Sequence, residues 1–326
     1  MANQITTVKG KSDDLTLMMI MQRFSTDESA REYIENLRWP HGPICPHCGN
    51  ADRERHYKVA ANVDKRILAG LYKCAECSYQ FTVTVGTVME DSHIPLDKWL
   101  VAFFIMCASK TQTSALQLQR QLELGSYRSA WFLCRRIRFA LMDVVREGKL
   151  TCAVVAGETY IGGRTEGRGR GFVGNKIAVV SLAGRHEQVR SQVVGDVTGR
   201  EIAEPLKLHV AEEVHLNTNE SRLRKKAGRD FALDDVVIYW PEEYNRFDAE
   251  TGCIATTNTT KGFFGNRKQS IGGTHHISKQ HIGLYFAEPG YKYNSRKNTD
   301  GARAVGGSHS LGGKRLTLRR QKAKVD

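Results

Sequence analysis

Apolar positions recur at helical spacing before residue 40 and over 95–147, on either side of a turn-rich stretch with short β-like runs such as QFTVTVGTVM; beyond 150 they gather into short β-like runs. In STDESAREYIENLRWP, Ala30, Tyr33, Ile34 and Leu37 fall three and four apart. Ser25 or Thr26 can cap that helix, and Glu28 completes a capping box if Ser25 is the cap. Pro40 and Gly42 stop it. LDKWLVAFFIMCAS is apolar nearly all round, which predicts a buried helix. TSALQLQRQLELGSYRSAWFLCRRIRFALMDVV reads as two helices broken at Gly125-Ser126, with Ala115, Leu118 and Leu122 on the inner face of the first and Ser126 capping the second. After residue 150, strands are expected at 152–156, 176–182, 189–195, 213–217 and 235–240. A helical stretch at about 199–211 precedes the fourth strand, and helices are expected at 258–268 and 278–294. In VVAGETYIGGR, residues 154–164, a strand is expected to deliver its end to a loop, closed by a Thr-Tyr-Ile-Gly-Gly turn, with Gly157 at the delivery point.

These patterns divide the chain into a helical segment (1–40), a cysteine-bearing, turn-rich segment (41–90), a helical region (91–148), an α/β domain (150–298) and a basic, glycine-rich tail (299–326). The tail is expected to be disordered or loosely attached.

Charge adds a partner. The 326 residues carry a formal net charge of +13, which favours a polyanion, with nucleic acid first. No apolar run reaches the ~18–20 residues that span a bilayer, and LTLMMIMQRF is too short and lacks the cleavage site of a signal peptide. A reducing cytoplasm is expected, so the eight cysteines are thiols or metal ligands before they are disulfides.

Four of them form paired knuckles, CPHC (Cys45, Cys48) and CAEC (Cys74, Cys77). Each supplies two thiolates from one tight turn, and together they can enclose a tetrahedral Zn²⁺ in a closed structural site of zinc-ribbon type. Cys107, Cys134, Cys152 and Cys253 stand alone and read as core residues. The helix pair after the ribbon reads as a helix-turn-helix whose second helix offers Arg128, Arg135, Arg136 and Arg138 to DNA; the alternative is an αα-hairpin with a solvated basic face. Arg164, Arg168 and Arg170, in the loop after the first strand of the α/β domain, either touch the DNA backbone or lie in a solvated loop.

The element order of 150–298 suits an RNase H-like fold, whose chemistry gathers carboxylates from separate elements around two Mg²⁺ ions. At this point the chain resembles a known family. RWPHGPICPHCGN, YKCAECSYQFTVTVGTVMEDSHIPLDKWL, SALQLQRQLELGSYRSAW, ETYIGGR, TTNTTKGFFGNRKQSIGGTHHIS, YKYNSR and GKRLTLR, covering about residues 15–320, resemble the bacterial insertion-sequence transposases that join a zinc ribbon to a DDE catalytic domain. The resemblance implies metal-dependent DNA strand transfer, DNA partners (terminal inverted repeats and target), a homo-oligomer on DNA, no membrane, and a cytoplasmic, nucleoid-associated setting.

It also marks the three acidic seats, and here the chain departs from the pattern. Gly157 stands for the first Asp, Asn219 for the second and Lys261 for the Glu; Thr256 and Tyr239 stand where the family has His. The changes Asp to Gly, Asp to Asn, Glu to Lys and His to Tyr are each one base transition, which fits drift in an unselected copy; deliberate inactivation would need fewer. Glu158, Glu220 and Asn258 are the auxiliary oxygens within reach in sequence, although strand alternation turns Glu158 away from the Gly157 side. The expectation is a transposase-type protein that binds DNA, holds structural Zn²⁺, binds Mg²⁺ poorly and is catalytically impaired. The alternatives are an active enzyme with relocated acids and a DNA-binding repressor.

Overall fold

The computed structural model describes residues 15–62, 64, 67, 69–144, 149–150, 154–161, 177–184, 188–194, 207–211, 216–218, 234–235, 246–247, 254–255, 281–313 and 315–316. The chain divides into two units, one comprising residues 1–141 with 298–326, the other residues 142–297.

The first unit opens with α1 (Leu17–Arg23) and α2 (Asp27–Arg38). Thr26 is the cap of α2, and its box partner is Ser29: Ser29 N–H donates to Thr26 Oγ1 at 3.2 Å and Thr26 N–H donates to Ser29 Oγ at 3.4 Å. A three-stranded antiparallel sheet follows, β1 (His56–Val59), β2 (Leu71–Cys74) and β3 (Gln80–Phe81), in that order. Its inner face packs Phe81 between Trp39 and His56, both edge-on at 5.8 and 5.7 Å between centroids.

The unit is centred on α3 (Leu96–Ala108), ten of whose thirteen residues are buried, as its all-round apolarity predicts. Asp27 Oδ1 accepts from its first amide, Leu96 N–H, at 2.7 Å. Helices α1 and α2 pack on it. The pair α4 (Ala115–Gln121) and α5 (Tyr127–Val144) follows. Leu118 and Leu122 are buried, and Ser126 Oγ accepts from Ser129 N–H at 3.1 Å, capping α5. The residue that takes the left-handed conformation in the turn is Glu123 (φ +50°), two positions before the glycine expected to break the pair.

The C-terminal segment corrects an expectation. Residues 300–313 are a folded part of this first unit. The helix α7 (Asp300–Ser308) packs on α3, and Gly307 sits so close that a Cβ there would meet Phe103 Cε1 at 2.8 Å and Leu141 Cδ2 at 3.1 Å. Arg303 Nη1 donates to Cys107 O at 3.2 Å, Thr87 and Gly312 form an antiparallel bridge, and Val88 N–H donates to Leu311 O at 3.2 Å. Small residues (Gly301, Ala304, Gly307) are what allow this approach; low apolar content reads locally as weak structure, whereas here it permits close helix packing.

The second unit is built on a mixed sheet of five strands: β4 (Val154–Ile161), β5 (Ile177–Gly184), β6 (Val189–Val194), β7 (Leu216–Thr218) and β8 (Asp234–Asp235), in the order β6-β5-β4-β7-β8. The β4–β5 and β5–β6 pairs are antiparallel, and the β4–β7 and β7–β8 pairs are parallel. β9 (Arg246–Phe247) and β10 (Ile254–Ala255) form a separate antiparallel pair. One sheet face packs Val154, Ala178, Val180 and Leu182 with Leu150, Val194 and Val210. On the other, α6 (Ile282–Asn294) sets Ile282 and Phe286 on Val179 and Tyr293 near Ala183 and Val189. The helix expected at 258–268 lies outside the described residues, and of the one at about 199–211 residues 207–209 are helical. β4 is longer than expected: it continues through Thr159, Tyr160 and Ile161, paired with β5 to its last residue, in place of the expected closing turn.

Candidate functional site

The four knuckle cysteines are brought together by tight turns in the first unit. Cys45 O accepts from Gly49 N–H at 2.9 Å, and Tyr79 O accepts from Cys74 N–H at 3.0 Å. Gly49 (φ +76°) and Ser78 (φ +61°) occupy matching left-handed positions just after each knuckle. All four Sγ atoms lie within 4.8 Å of one another, with Cys45–Cys77 at 3.6 Å and Cys48–Cys74 at 3.7 Å. A tetrahedron with Zn–S bonds of about 2.3 Å has edges of about 3.8 Å, so the sulfur cage fits Zn²⁺ in size as well as in donor type. His47 is outside the group and lies 4.9 Å from the Tyr79 ring, centroid to centroid. Cys107 and Cys134 are fully buried in the helical core, as their isolation in the sequence suggests.

On α5 the four arginines part company. Arg128 is exposed beside the exposed Tyr127 in the first turn, and Arg135 is half-buried with its guanidinium 5.2 Å above the Trp131 ring. Arg136 and Arg138 are buried, at 6% and 4% exposure, and are therefore not on the outer surface expected for all four. Arg138 donates to Thr113 O at 2.8 Å, tying α5 to the residues before α4. Arg136 lies 4.4 Å above the Phe132 ring; burial lowers its pKa, opposed by the nearby Asp91 charge. Periodicity places Arg128, Arg135 and Arg138 within about one face of the helix but does not tell which part of it neighbouring segments cover.

Two groups without a local sequence signal hold the surrounding loops. The Arg38 guanidinium donates to Val83 O at 2.6 Å and Val85 O at 2.7 Å, and burial lowers its pKa against the pull of Glu90. Arg315 bridges Glu90 at 3.3 Å and Asp91, more than 200 residues away in sequence. Tyr72 donates to Glu35 Oε2 at 2.9 Å, and burial together with that carboxylate raises its pKa to about 12.

In the second unit Gly157 lies within β4, its Cα paired with Ser181, which in turn pairs with Ser191; the two hydroxyls are 2.6 Å apart and Ser181 is fully buried. On the other side of β4 the parallel register runs Val154–Leu216, Val155–Asn217 and Ala156–Thr218. The residue before Gly157 is thus the partner of the residue before Asn219. Glu158 pairs through its backbone with Val180. Asn219, Glu220, Tyr239, Thr256, Asn258, Lys261, Arg164, Arg168 and Arg170 lie outside the described residues. Among the described residues Glu288 on α6 is the buried carboxylate, and Lys292 Nζ neutralises it at 2.7 Å.

Comparison with known proteins agrees with this division. Residues 25–80 match the family model described as a transposase zinc-ribbon domain, and residues 149–294 match that of an ISXO2-like transposase domain, so that more than half of the chain is covered. Over 155 residues the chain is 28% identical to a Halobacterium salinarum protein described as an uncharacterized protein in transposable element ISH50. That match takes in 47% of this chain and 48% of the relative, so the chain spans about half the length of the curated relative it matches. No solved structure matches.

Proposed function

Because the chain belongs to the insertion-element transposases whose zinc-ribbon and DDE-type domains it carries, we propose that it binds the terminal inverted repeats of such an element but performs strand transfer poorly or not at all. Zn²⁺ held by Cys45, Cys48, Cys74 and Cys77 is structural and fixes the ribbon; the closed sulfur cage supports this. α4 and α5 act as a helix-turn-helix, with Arg128 and Arg135 the arginines still placed to meet phosphate or base edges. The ribbon corresponds to 41–90, the helix-turn-helix region to 91–148 and an RNase H-like domain to 150–298. By the family premise the protein works as a homo-oligomer on DNA at the nucleoid, with Arg164, Arg168 and Arg170 as further backbone contacts.

The observation that carries the catalytic part is the β4–β7 register. It supports reading Gly157, which follows Ala156 on β4, and Asn219, which follows Thr218 in sequence, as the first two seats, one without a side chain and one with a neutral amide. A Mg²⁺ pair needs anionic oxygen donors, and these residues do not fit it. Lys261 at the third seat adds a repulsion on the order of 4 kcal/mol per unit charge at ~4 Å and intermediate dielectric. A complete first unit beside substituted seats also favours the repressor reading: a protein that occupies element ends without cutting them.

Strand transfer on a duplex from the DNA flanking the chain's own gene, with Mg²⁺ or Mn²⁺, tests this. The expectation is no product from the natural chain and product from the Gly157→Asp, Asn219→Asp, Lys261→Glu triple variant. Product from the natural chain overturns the reading and points to Glu158, Glu220 or Asn258 as relocated ligands.

A further inference from the structure

The outer face of the ribbon sheet carries a row that no metal, fold or helix-turn-helix role accounts for. Tyr57 on β1 pairs with Lys73 on β2, which pairs with Gln80 on β3, so the three side chains stand side by side across the sheet. All three are exposed, Tyr57 at 58%. Their strand neighbours His56, Cys74 and Phe81 are buried on the inner side, so alternation fixes the row to the outside. Flanking the row on the same face are Val59 and Leu71, also a cross-strand pair and both partly covered. Among the described residues of the three strands, the face thus combines an aromatic ring, two aliphatic side chains, one ammonium and one amide, without a carboxylate.

We propose that this face is a platform for an unpaired DNA strand, with Tyr57 stacking a base, Lys73 meeting the adjacent phosphate and Gln80 within hydrogen-bonding reach of a base edge. The proposal rests on the reading of the chain as a DNA-binding protein and names a second class of DNA for it. Charge complementarity supports the choice: among the described residues of β1, β2 and β3, Lys73 is the charged side chain on this face, in a chain of net charge +13. Shape separates single strand from duplex. The major groove, ~12 Å wide, admits a helix or a two-stranded ribbon, whereas a ring on a three-stranded face can stack only a base already freed from its neighbours.

The test measures binding of the full-length, zinc-loaded chain to a mixed-sequence single-stranded oligonucleotide and, separately, to the duplex flanking its gene. Tyr57→Ala is expected to weaken single-strand binding about five- to 150-fold, the range for loss of one base–aromatic stack, while Tyr57→Phe keeps it within about twofold. Lys73→Gln is expected to weaken it and to flatten its salt dependence by roughly 0.7 in log–log slope. Duplex binding and zinc content stay unchanged in all three. Single-strand binding indifferent to Tyr57→Ala overturns the platform, as does an equal loss in Tyr57→Phe. A change in oligomeric state without a change in DNA binding assigns the face to a second copy and also overturns it. If the natural chain binds neither DNA, the DNA-binding reading fails; if it binds duplex normally and Tyr57→Ala changes nothing, the platform alone fails.

Discussion

The ribbon and the five-stranded sheet both resemble scaffolds that hold metal, and they have fared differently. In the ribbon the four sulfurs are present and close enough to share one ion. At the positions we propose as catalytic seats the sequence has Gly157, which lies on β4, Asn219 and Lys261. The difference follows from what each ligand set does for folding. The ribbon strands are two to four residues long and cannot bury a core alone, so the free energy of binding zinc is in large part the free energy of folding. The five-stranded sheet has apolar clusters on both faces, formed by Val154, Val180 and Leu182 on one and by Val179, Ile282 and Phe286 on the other, and none of these residues is a seat. On the proposed reading, loss of a ribbon cysteine would remove the structure, whereas loss of a catalytic acid would leave the sheet intact and remove only chemistry.

Zinc removal breaks this comparison most forcefully. A strong chelator, or Cys45→Ser, is expected to unfold the ribbon, on the scale of the roughly 10 kcal/mol that structural zinc contributes in small metal domains, and to abolish duplex binding. Circular dichroism with zinc quantitation checks this; a chelated chain that still melts at the same temperature and binds DNA refutes it. Within the second unit a core change and a seat change should separate. Leu182→Ala, at a side chain 1% exposed, is expected to cost about 2–5 kcal/mol of unfolding free energy in urea titration, whereas Gly157→Asp changes it by less than about 1 kcal/mol. If the two cost the same, the seat is part of the core and the comparison fails.

A pH-dependent effect belongs to Tyr72. Its folded-state pKa, about 12, lies above the usual 10, so the folded state keeps a proton that the unfolded state gives up between those values. That contribution is fully present below pH ~10 and is lost as pH rises toward 12. The decline of stability with pH over that window is expected to be shallower in Tyr72→Phe, as read by denaturant titration at several pH values.

What the sequence made legible was local. The Thr26 cap, the buried α3, the break before Ser126 and the cysteine knuckles depend on residues within a few positions of one another. Local misreadings are small, such as the Thr26–Ser29 box in place of Ser25–Glu28; the larger ones are nonlocal. Arg136 and Arg138 look available in the helix pattern, yet both are buried, Arg136 near the Asp91 charge and Arg138 with its guanidinium on Thr113 O. The Thr-Tyr-Ile run at 159–161 carries a turn-like Gly-Gly after it, yet Ala178 and Ile177 on β5 hold it as strand. The glycine-rich stretch at 300–313 looks structureless because small residues signal flexibility in isolation; against Phe103 they signal a tight fit. Of the three seats, Gly157 can be followed into the fold, through its place on β4 beside β7.

The folding of α7 onto α3 sets a timetable for biosynthesis. Residues 142–297 are translated between the two parts of the first unit, which at about 5–20 residues per second takes roughly 10–30 s. Throughout that interval the nascent helix α3 waits with its Phe103 side uncovered, and the unit closes only after the ribosome has passed Gly312. A message interrupted within the second unit therefore releases a polypeptide with an open core in place of a small, stable DNA-binding fragment.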